Sequence, residues 1–399
     1  MKQSTPNFYF SSTVCSEKEY DSVITEDKYK TAQAAIKFYR LFCDGFSRNG
    51  YSIHVYSKRP TTKLKSGKTF IPAKNEIDGK IDYHYSRIIN IPVLSIIYSL
   101  VASFFWYLNP FRCKRNSYVF IDPLNVSIGL GTYYACKIRG IKTIMIITDL
   151  PRYYCYNPDG KMSFQQKISE RLSKKADAYV LVTEQMNEVI NESNKPSIVI
   201  EGFADLGLSD VSIDIDDKYD KFVCMYTGGL DIAYGLDYLI KGFLKADIPD
   251  SELHIYGAGS YSEEIERIAE KNKKVLYLGT KDNSIIVNEQ MKATLLINPR
   301  YSDSVFTRYS FPSKNMEYAA SGTPMLTTNL PGMPFEYHDH VFLLEDETPT
   351  GMANKLKDIS SFSKQELYSF GVSTKNWVLN NKNCKAQVLK IISFIEQSL

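Results

Sequence analysis

No charge of either sign dominates this chain of 399 residues, whose formal net charge is +3. That balance argues against a nucleic-acid binder working mainly through its overall charge. It has no CxxC pair, and its cysteines (Cys15, Cys43, Cys113, Cys136, Cys155, Cys224, Cys384) are scattered without clustered histidines. An odd, dispersed set offers no zinc framework and suits reduced thiols. No cleavable apolar segment is read ahead of the strand-like Phe8-Tyr9-Phe10, so the expected location is cytoplasmic. A hydrophobic content of 44% with 23% charged residues is that of a soluble globular protein. The length calls for two domains of about 200 residues each.

What is present is an alternation of apolar β-prone runs with helix-period segments, the pattern of parallel βα units and an α/β fold. In the first half the expected strands are Asn7–Ser11, Ser52–Ser57, Ser117–Asp122, Thr143–Thr148 and Tyr179–Thr183. A long amphipathic helix, Lys28–Asn49, ends at Asn49-Gly50 in the manner of a C-cap. In the second half they are Lys221–Thr227, Glu252–Gly257, Val275–Gly279, Leu295–Asn298, Met325–Thr328 and Val341–Leu344. The acidic stretch Asp210–Asp220 reads as a linker, giving domains 1–205 and 206–399. The C-terminal helix, Asn383–Gln397, is free to pack on either. Two doubly wound halves imply a cleft facing the carboxyl ends of two parallel sheets, where α/β proteins bind ligands.

Several segments carry chemistry. Gly228-Gly229, after the first strand of the second half, lets the backbone approach a bulky anion, although a tight βα turn without a ligand would use the same residues. Gly257-Ala258-Gly259 lacks the third glycine of a dinucleotide fingerprint, which counts against a plain Rossmann dehydrogenase. Gly279-Thr280-Lys281 is a polar turn with backbone groups suited to a nucleobase edge. Arg300, Arg308 and Lys314 are cations at predicted strand ends, as a departing diphosphate requires when no metal neutralises it. The richest stretch runs from Tyr309 to Thr328: a polar loop, a short helix Ser313–Ala320, then Gly322-Thr323-Pro324 and a strand. It sets Ser310, Ser313 and Lys314 at a helix start suited to phosphate, with Glu317 one turn inside to accept from sugar hydroxyls. In the first half, Asp149 follows a strand and is either an acid orienting an acceptor hydroxyl or a turn cap. Asp214-Ile215-Asp216 matches a metal-binding DxD only in letters, because it falls in the linker. No metal and no other cofactor is expected.

The order Gly228-Gly229, Gly257-Ala258-Gly259, Gly279, Asn298-Pro299-Arg300, then Ser310-Phe311-Pro312-Ser313-Lys314, Glu317-Tyr318 and Ser321-Gly322-Thr323-Pro324 resembles glycosyltransferase family 4, of the GT-B fold. Within it, the chain is similar to bacterial enzymes of exopolysaccharide and capsule synthesis. The likeness is specific over about residues 220–345 and weaker in the first half, at Ala34–Phe38, Ile147–Pro151 and Ala176–Glu184. It implies two Rossmann-like domains, an acceptor domain followed by a donor domain, and retaining transfer of a sugar from a nucleoside diphosphate without a metal. It further implies that Glu317 binds the donor ribose, that Ser310 and Phe311 lie beside the sugar and phosphates, that Gly228 and Gly229 lie near the diphosphate, and that Lys281 lies near the base. Two positions depart from the family. Tyr309 replaces the first acid of its Glu-x7-Glu motif, and Tyr234 stands where many members carry a phosphate-binding lysine.

Between Arg87 and Arg112 no residue is charged, and the stretch reaches the roughly 20 residues of a membrane span. Pro92, its serines and its place between two strands argue against spanning. It reads either as a buried helix or as an interfacial helix flanked by Arg112, Lys114 and Arg115, with Trp106 and Tyr107 near its end. The second reading suits peripheral contact with the inner face of the cytoplasmic membrane and an acceptor saccharide carried on a polyprenyl diphosphate. The basic helix Lys167–Lys175 reads as a solvated face. Two other functions remain open: a sugar-nucleotide epimerase or hydrolase of this architecture, and a non-catalytic partner subunit.

Overall fold

The structure, a computed structural model, describes residues 6–23, 34–153, 161–209, 211 and 213–399. The first six residues expected of the helix starting at Lys28, together with Cys155, Asp210 and Ser212, lie outside the described residues. The chain forms two compact units, one of Met1–Phe203 with Cys384–Leu399 and the other of Ala204–Asn383.

The first unit is built on strands β1 (Asn7–Ser12), β2 (Ile53–Ser57), β3 (Phe70–Ile71), β4 (Lys74–Asp78), β5 (Ile81–Tyr85), β6 (Ile88–Ile89), β7 (Ser117–Ile121), β8 (Lys142–Ile147), β9 (Ala178–Leu181) and β10 (Ser197–Val199). Eight of them form one sheet in the order β10-β9-β8-β7-β1-β2-β5-β4, and β3 pairs with β6 alone. All neighbours in the large sheet run parallel except β4, which joins β5 as an antiparallel edge hairpin. Alternation decides the faces. Phe8 and Phe10 turn to the helix Ala34–Arg48, where Phe42, Phe46 and Phe120 complete an aromatic core. Tyr9 and Tyr56 turn to the opposite face, against Trp106, where His84 also packs and His54 stacks on Tyr9. The final helix, Cys384–Ser398, packs on Ala34–Arg48. A methyl group at Gly45 would stand 2.4 Å from both the Cys384 carbonyl and Val388 Cγ2.

The helix Pro92–Leu108 corrects the fully buried reading of the uncharged stretch. Ser99, Ser103, Trp106 and Tyr107 are buried, whereas Val93, Leu94, Ile96, Ile97, Val101 and Phe105 are exposed. It is close-packed on the next helix, Val126–Arg139, because Gly131 has no side chain: a Cβ there would fall 2.2 Å from the Leu100 carbonyl. Among the described residues no helix is long and apolar enough to cross a membrane.

In the second unit β11 (Phe222–Gly229), β12 (Ser251–Ala258), β13 (Val275–Gly279), β14 (Leu295–Asn298), β15 (Met325–Thr328) and β16 (Phe342–Leu344) make a wholly parallel sheet ordered β13-β12-β11-β14-β15-β16. The order reverses direction at β11, so its carboxyl end is a topological switch point. Leu236, Leu239, Ile240 and Phe243 of the helix Leu236–Ala246 seal one face of its core. The stretch read as a linker is partly built into this unit. Lys218 is buried, and its ammonium donates to the carbonyls of Met291 (2.8 Å) and Ala293 (2.9 Å) and to Thr323 Oγ1 (3.0 Å). Asp214 caps a short turn over Ile215–Asp217, which accounts for an acid there without a metal. The unit begins and ends at adjacent points: the Ala204 N–H donates to the Lys382 carbonyl at 2.8 Å, and Ala204 is bridged to Asn383.

Candidate active site

The paired glycines form a notch made of backbone. Gly228 and Gly257 lie opposite each other in the register of β11 and β12, with φ of 154° and 137°. A Cβ at Gly257 would sit 1.8 Å from the Gly228 carbonyl, so no side chain fits at this strand end. A second close approach follows at Gly235, the left-handed N-cap of Leu236–Ala246, where a Cβ would lie 1.7 Å from the Pro299 carbonyl. That contact draws the loop after β11 against the end of β14. Tyr234 lies in the same wall, its ring edge 3.1 Å from the position of a Gly229 Cβ and its face 4.8 Å from the Arg300 guanidinium. Arg300 is therefore held next to the glycine turn by an aromatic platform.

The helix expected at Ser313–Ala320 spans Ser313–Ser321 and stops at Gly322, whose φ of 83° supplies the left-handed cap. Pro312 is its N-cap and Ser313 its first residue, exposed and not itself the cap. Glu317 Oε1 accepts from Lys314 Nζ at 3.1 Å and from Gln290 Nε2 at 2.7 Å. Gln290, wholly buried, also donates to Thr227 Oγ1 at 3.0 Å. The Tyr318 hydroxyl accepts from the Thr227 N–H at 2.9 Å. Glu317 is thus anchored to the residue immediately before the glycine turn, through two buried side chains. Beside it, Asn298 Nδ2 donates to Asn315 Oδ1 at 2.6 Å, while Asn315 Nδ2 and Ser310 Oγ are buried with no hydrogen-bond partner among the described residues. Buried polar atoms of that kind call for a ligand or water.

Of the other predicted residues, three belong to the second unit and one to the first. Lys281 is exposed just past β13, at the carboxyl edge of the same sheet. Arg308 is exposed, with its guanidinium 5.8 Å from the ring of Tyr309, in the turn Thr307–Tyr309. Phe311 is buried against Tyr337 and forms the base of the loop. Asp149 belongs to the first unit, exposed just beyond β8. Burial, the charge of Asp122 and, more weakly, that of Asp149 hold the Tyr39 phenol well above its ordinary range.

Sequence reasoning missed Gln290 and Thr227, which tie Glu317 to the glycine turn, and Asn315, which pairs with Asn298. A glutamine on the buried side of the helix Asn283–Lys292, among Ile286 and Met291, was the available signal. It also missed Asp122, a fully buried acid at the end of β7 that accepts from Ser12 Oγ and the Leu124 N–H, both at 2.9 Å. Burial raises its pKa.

Residues 221–361 match the family model described as Glycosyl transferases group 1. No curated protein matches the chain. Among solved structures, sucrose-phosphate synthase from Thermosynechococcus elongatus is similar with a TM-score of 0.70 at 14% identity, over 98% of this chain and 99% of that one. Trehalose 6-phosphate synthase from Burkholderia multivorans is similar with a TM-score of 0.64 at 10% identity, over 99% and 97%. Anabaena HepE, solved in complex with UDP, is similar with a TM-score of 0.63 at 12% identity, over 98% and 100%.

Proposed function

We propose that this chain is a glycosyltransferase of the GT-B fold that moves a sugar from a nucleoside diphosphate to a saccharide acceptor with retention of configuration. The observation that carries this reading is the line Glu317–Gln290–Thr227, which fixes a carboxylate beside the side-chain-free turn Gly228-Gly229. A carboxylate suits ribose hydroxyls, and a backbone notch suits a diphosphate. Uridine diphosphate is the first ligand to test, because HepE was solved with it.

The transfer is assigned to one face of the sugar. The bond from the anomeric carbon to the diphosphate oxygen breaks as the acceptor hydroxyl approaches, and its proton passes to the leaving phosphate. Arg300, Arg308 and Lys314 neutralise the charge that develops on that phosphate, with Ser310 and Ser313 near it, and no metal takes part in the step. Lys281 lies on the side of the base. Asp149 is assigned to the acceptor hydroxyl. Where a first acid would touch the transferred sugar, Tyr309 offers a phenol.

The acceptor is assigned as a saccharide on a polyprenyl diphosphate, in the synthesis of a cell-surface polysaccharide. The support is the exposed row Val93, Leu94, Ile97, Val101 and Phe105, followed by exposed Phe111, Arg112, Lys114 and Arg115. Apolar side chains beside cations suit an anionic bilayer surface. Two measurements test the reading. Sugar transfer in the presence of uridine diphosphate sugars and lipid-linked acceptor should exceed hydrolysis without acceptor; donor turnover independent of acceptor would instead indicate an epimerase or hydrolase. Sedimentation with phosphatidylglycerol vesicles at low salt should be lost on Phe105→Asp. No sedimentation of the unaltered protein would remove the membrane from the proposal.

A further inference from the structure

Outside the donor site, two histidines and a carboxylate meet on the first unit's sheet. His54 of β2 lies directly opposite Asp82 of β5 in the parallel register. His84 follows Asp82 by two residues, so the strand's alternation turns both to the same face. Asp82 Oδ2 is 3.0 Å from His54 Nδ1 and 3.0 Å from His84 Nε2. Three potential ligand atoms lie within 4.8 Å of one another, each from a partly exposed residue. In a tetrahedral zinc site, with metal–nitrogen bonds of about 2.0–2.1 Å, neighbouring ligand atoms stand roughly 3.3 Å apart. The separations to Asp82 are within a few tenths of an ångström of that value.

The hydrogen bonding of His84 points the same way. Its Nδ1 is 3.2 Å from Asn75 Oδ1, across the β4–β5 hairpin, while its Nε2 faces the carboxylate. A neutral imidazole has one proton for these two acceptors. Given to Asn75, that proton leaves a lone pair on Nε2 aimed at Asp82, which is the tautomer a metal ligand needs. The rings are also held in place: His54 stacks on Tyr9 with centroids 4.9 Å apart, and His84 packs on Trp106 at 5.3 Å. All three residues line a cavity of about 1140 Å³ whose walls include Phe105, Phe111, Arg87 and Arg112.

We propose that His54, Asp82 and His84 form a site for a divalent transition metal of the zinc type, with its open coordination position facing the cavity and taking an anionic oxygen. The mixed imidazole and carboxylate donors favour zinc or cobalt over magnesium or calcium. The guanidinium groups of Arg87 and Arg112 add positive charge to the same cavity, as a phosphate or carboxylate ligand requires.

The test is titration of the full-length protein with cobalt(II), followed by visible absorption, together with zinc titration calorimetry. One equivalent should bind with a four-coordinate cobalt spectrum, and added inorganic phosphate should alter that spectrum. His84→Gln and Asp82→Asn, each checked for folding by near-ultraviolet circular dichroism, should weaken binding by about 100-fold or more. Absence of saturable binding overturns the proposal and leaves a hydrogen-bonded His–Asp–His cluster. So does binding that survives in both variants. A spectrum indifferent to phosphate overturns the anionic-oxygen part alone. Thermal shifts with uridine diphosphate, read in the same variants, should be unchanged, which separates this site from the donor site.

Discussion

Replacing Glu317 by alanine is the sharpest probe of the donor site, because its expected effects on binding and on folding differ in size. On the proposed reading the carboxylate accepts from two ribose hydroxyls. Hydrogen bonds to a charged group are worth roughly 1.5–3 kcal/mol each, so their loss weakens nucleotide binding by about 3–6 kcal/mol, or some two to four powers of ten. Folding should suffer little. Lys314, whose side chain is 32% exposed, regains water when its partner is removed. Gln290 keeps its donation to Thr227 Oγ1 at 3.0 Å. The melting temperature without ligand should therefore move by only a few degrees. Calorimetric titration with uridine diphosphate and with its 2′,3′-dideoxy analogue provides the assay. The unaltered protein should prefer the ribose form strongly, and Glu317→Ala should bind both with similar, weak affinity. Equal affinities of the two proteins for uridine diphosphate, or an undiminished ribose preference in the variant, would refute the assignment of Glu317.

Tyr234→Leu should lower kcat/KM for sugar transfer by roughly 2- to 30-fold, the value of a cation–π contact of about 0.5–2 kcal/mol, whereas Tyr234→Phe should stay near the unaltered enzyme. If phenylalanine were as damaging as leucine, the hydroxyl and not the platform under Arg300 would matter. Gly235→Ala forces a φ of 77° on alanine with Cβ 1.7 Å from the Pro299 carbonyl, and should cost more than about 2 kcal/mol in urea unfolding. Burial pushes the Lys218 ammonium down to about 8. The unfolded lysine titrates near 10.4, so between these values the unfolded chain holds more protons and stability rises with pH. The gain from pH 7 to 9.5 should be roughly 2 kcal/mol. Lys218→Met should flatten that rise, and an equally steep profile in the variant would assign it elsewhere.

The second unit was the more legible from the amino-acid order. Strands β13, β14 and β15 coincide with their expected limits because each apolar run is bounded by a punctuating residue, Gly279 after the first and Pro299 after the second. In the first unit the hairpin β4–β5 escaped notice. Its edge strand Lys74-Asn75-Glu76-Ile77-Asp78 is polar and mostly exposed, and edge pairing needs no apolar alternation. The helix at Pro92–Leu108 could be read from its composition, but an apolar residue on nearly every side leaves the period silent about which face is covered. Lys218 and Gln290 were illegible for a common reason. Each is a polar side chain whose partners are distant in sequence and exist only once the sheet is assembled.

The second unit is an insertion in the first, since the last helix, Cys384–Ser398, returns to the surface shaped by Gly45. This governs how a chain of this architecture can be recombined. A chimera joined once, near residue 205, would carry a foreign terminal helix onto a glycine fitted to Val388. Two junctions, at Phe203/Ala204 and Asn383/Cys384, exchange the second unit whole and leave that helix with its native partner. Because Ala204 and Asn383 are already bridged, the incoming segment needs ends that meet, and on the proposed reading donor specificity becomes a replaceable cassette.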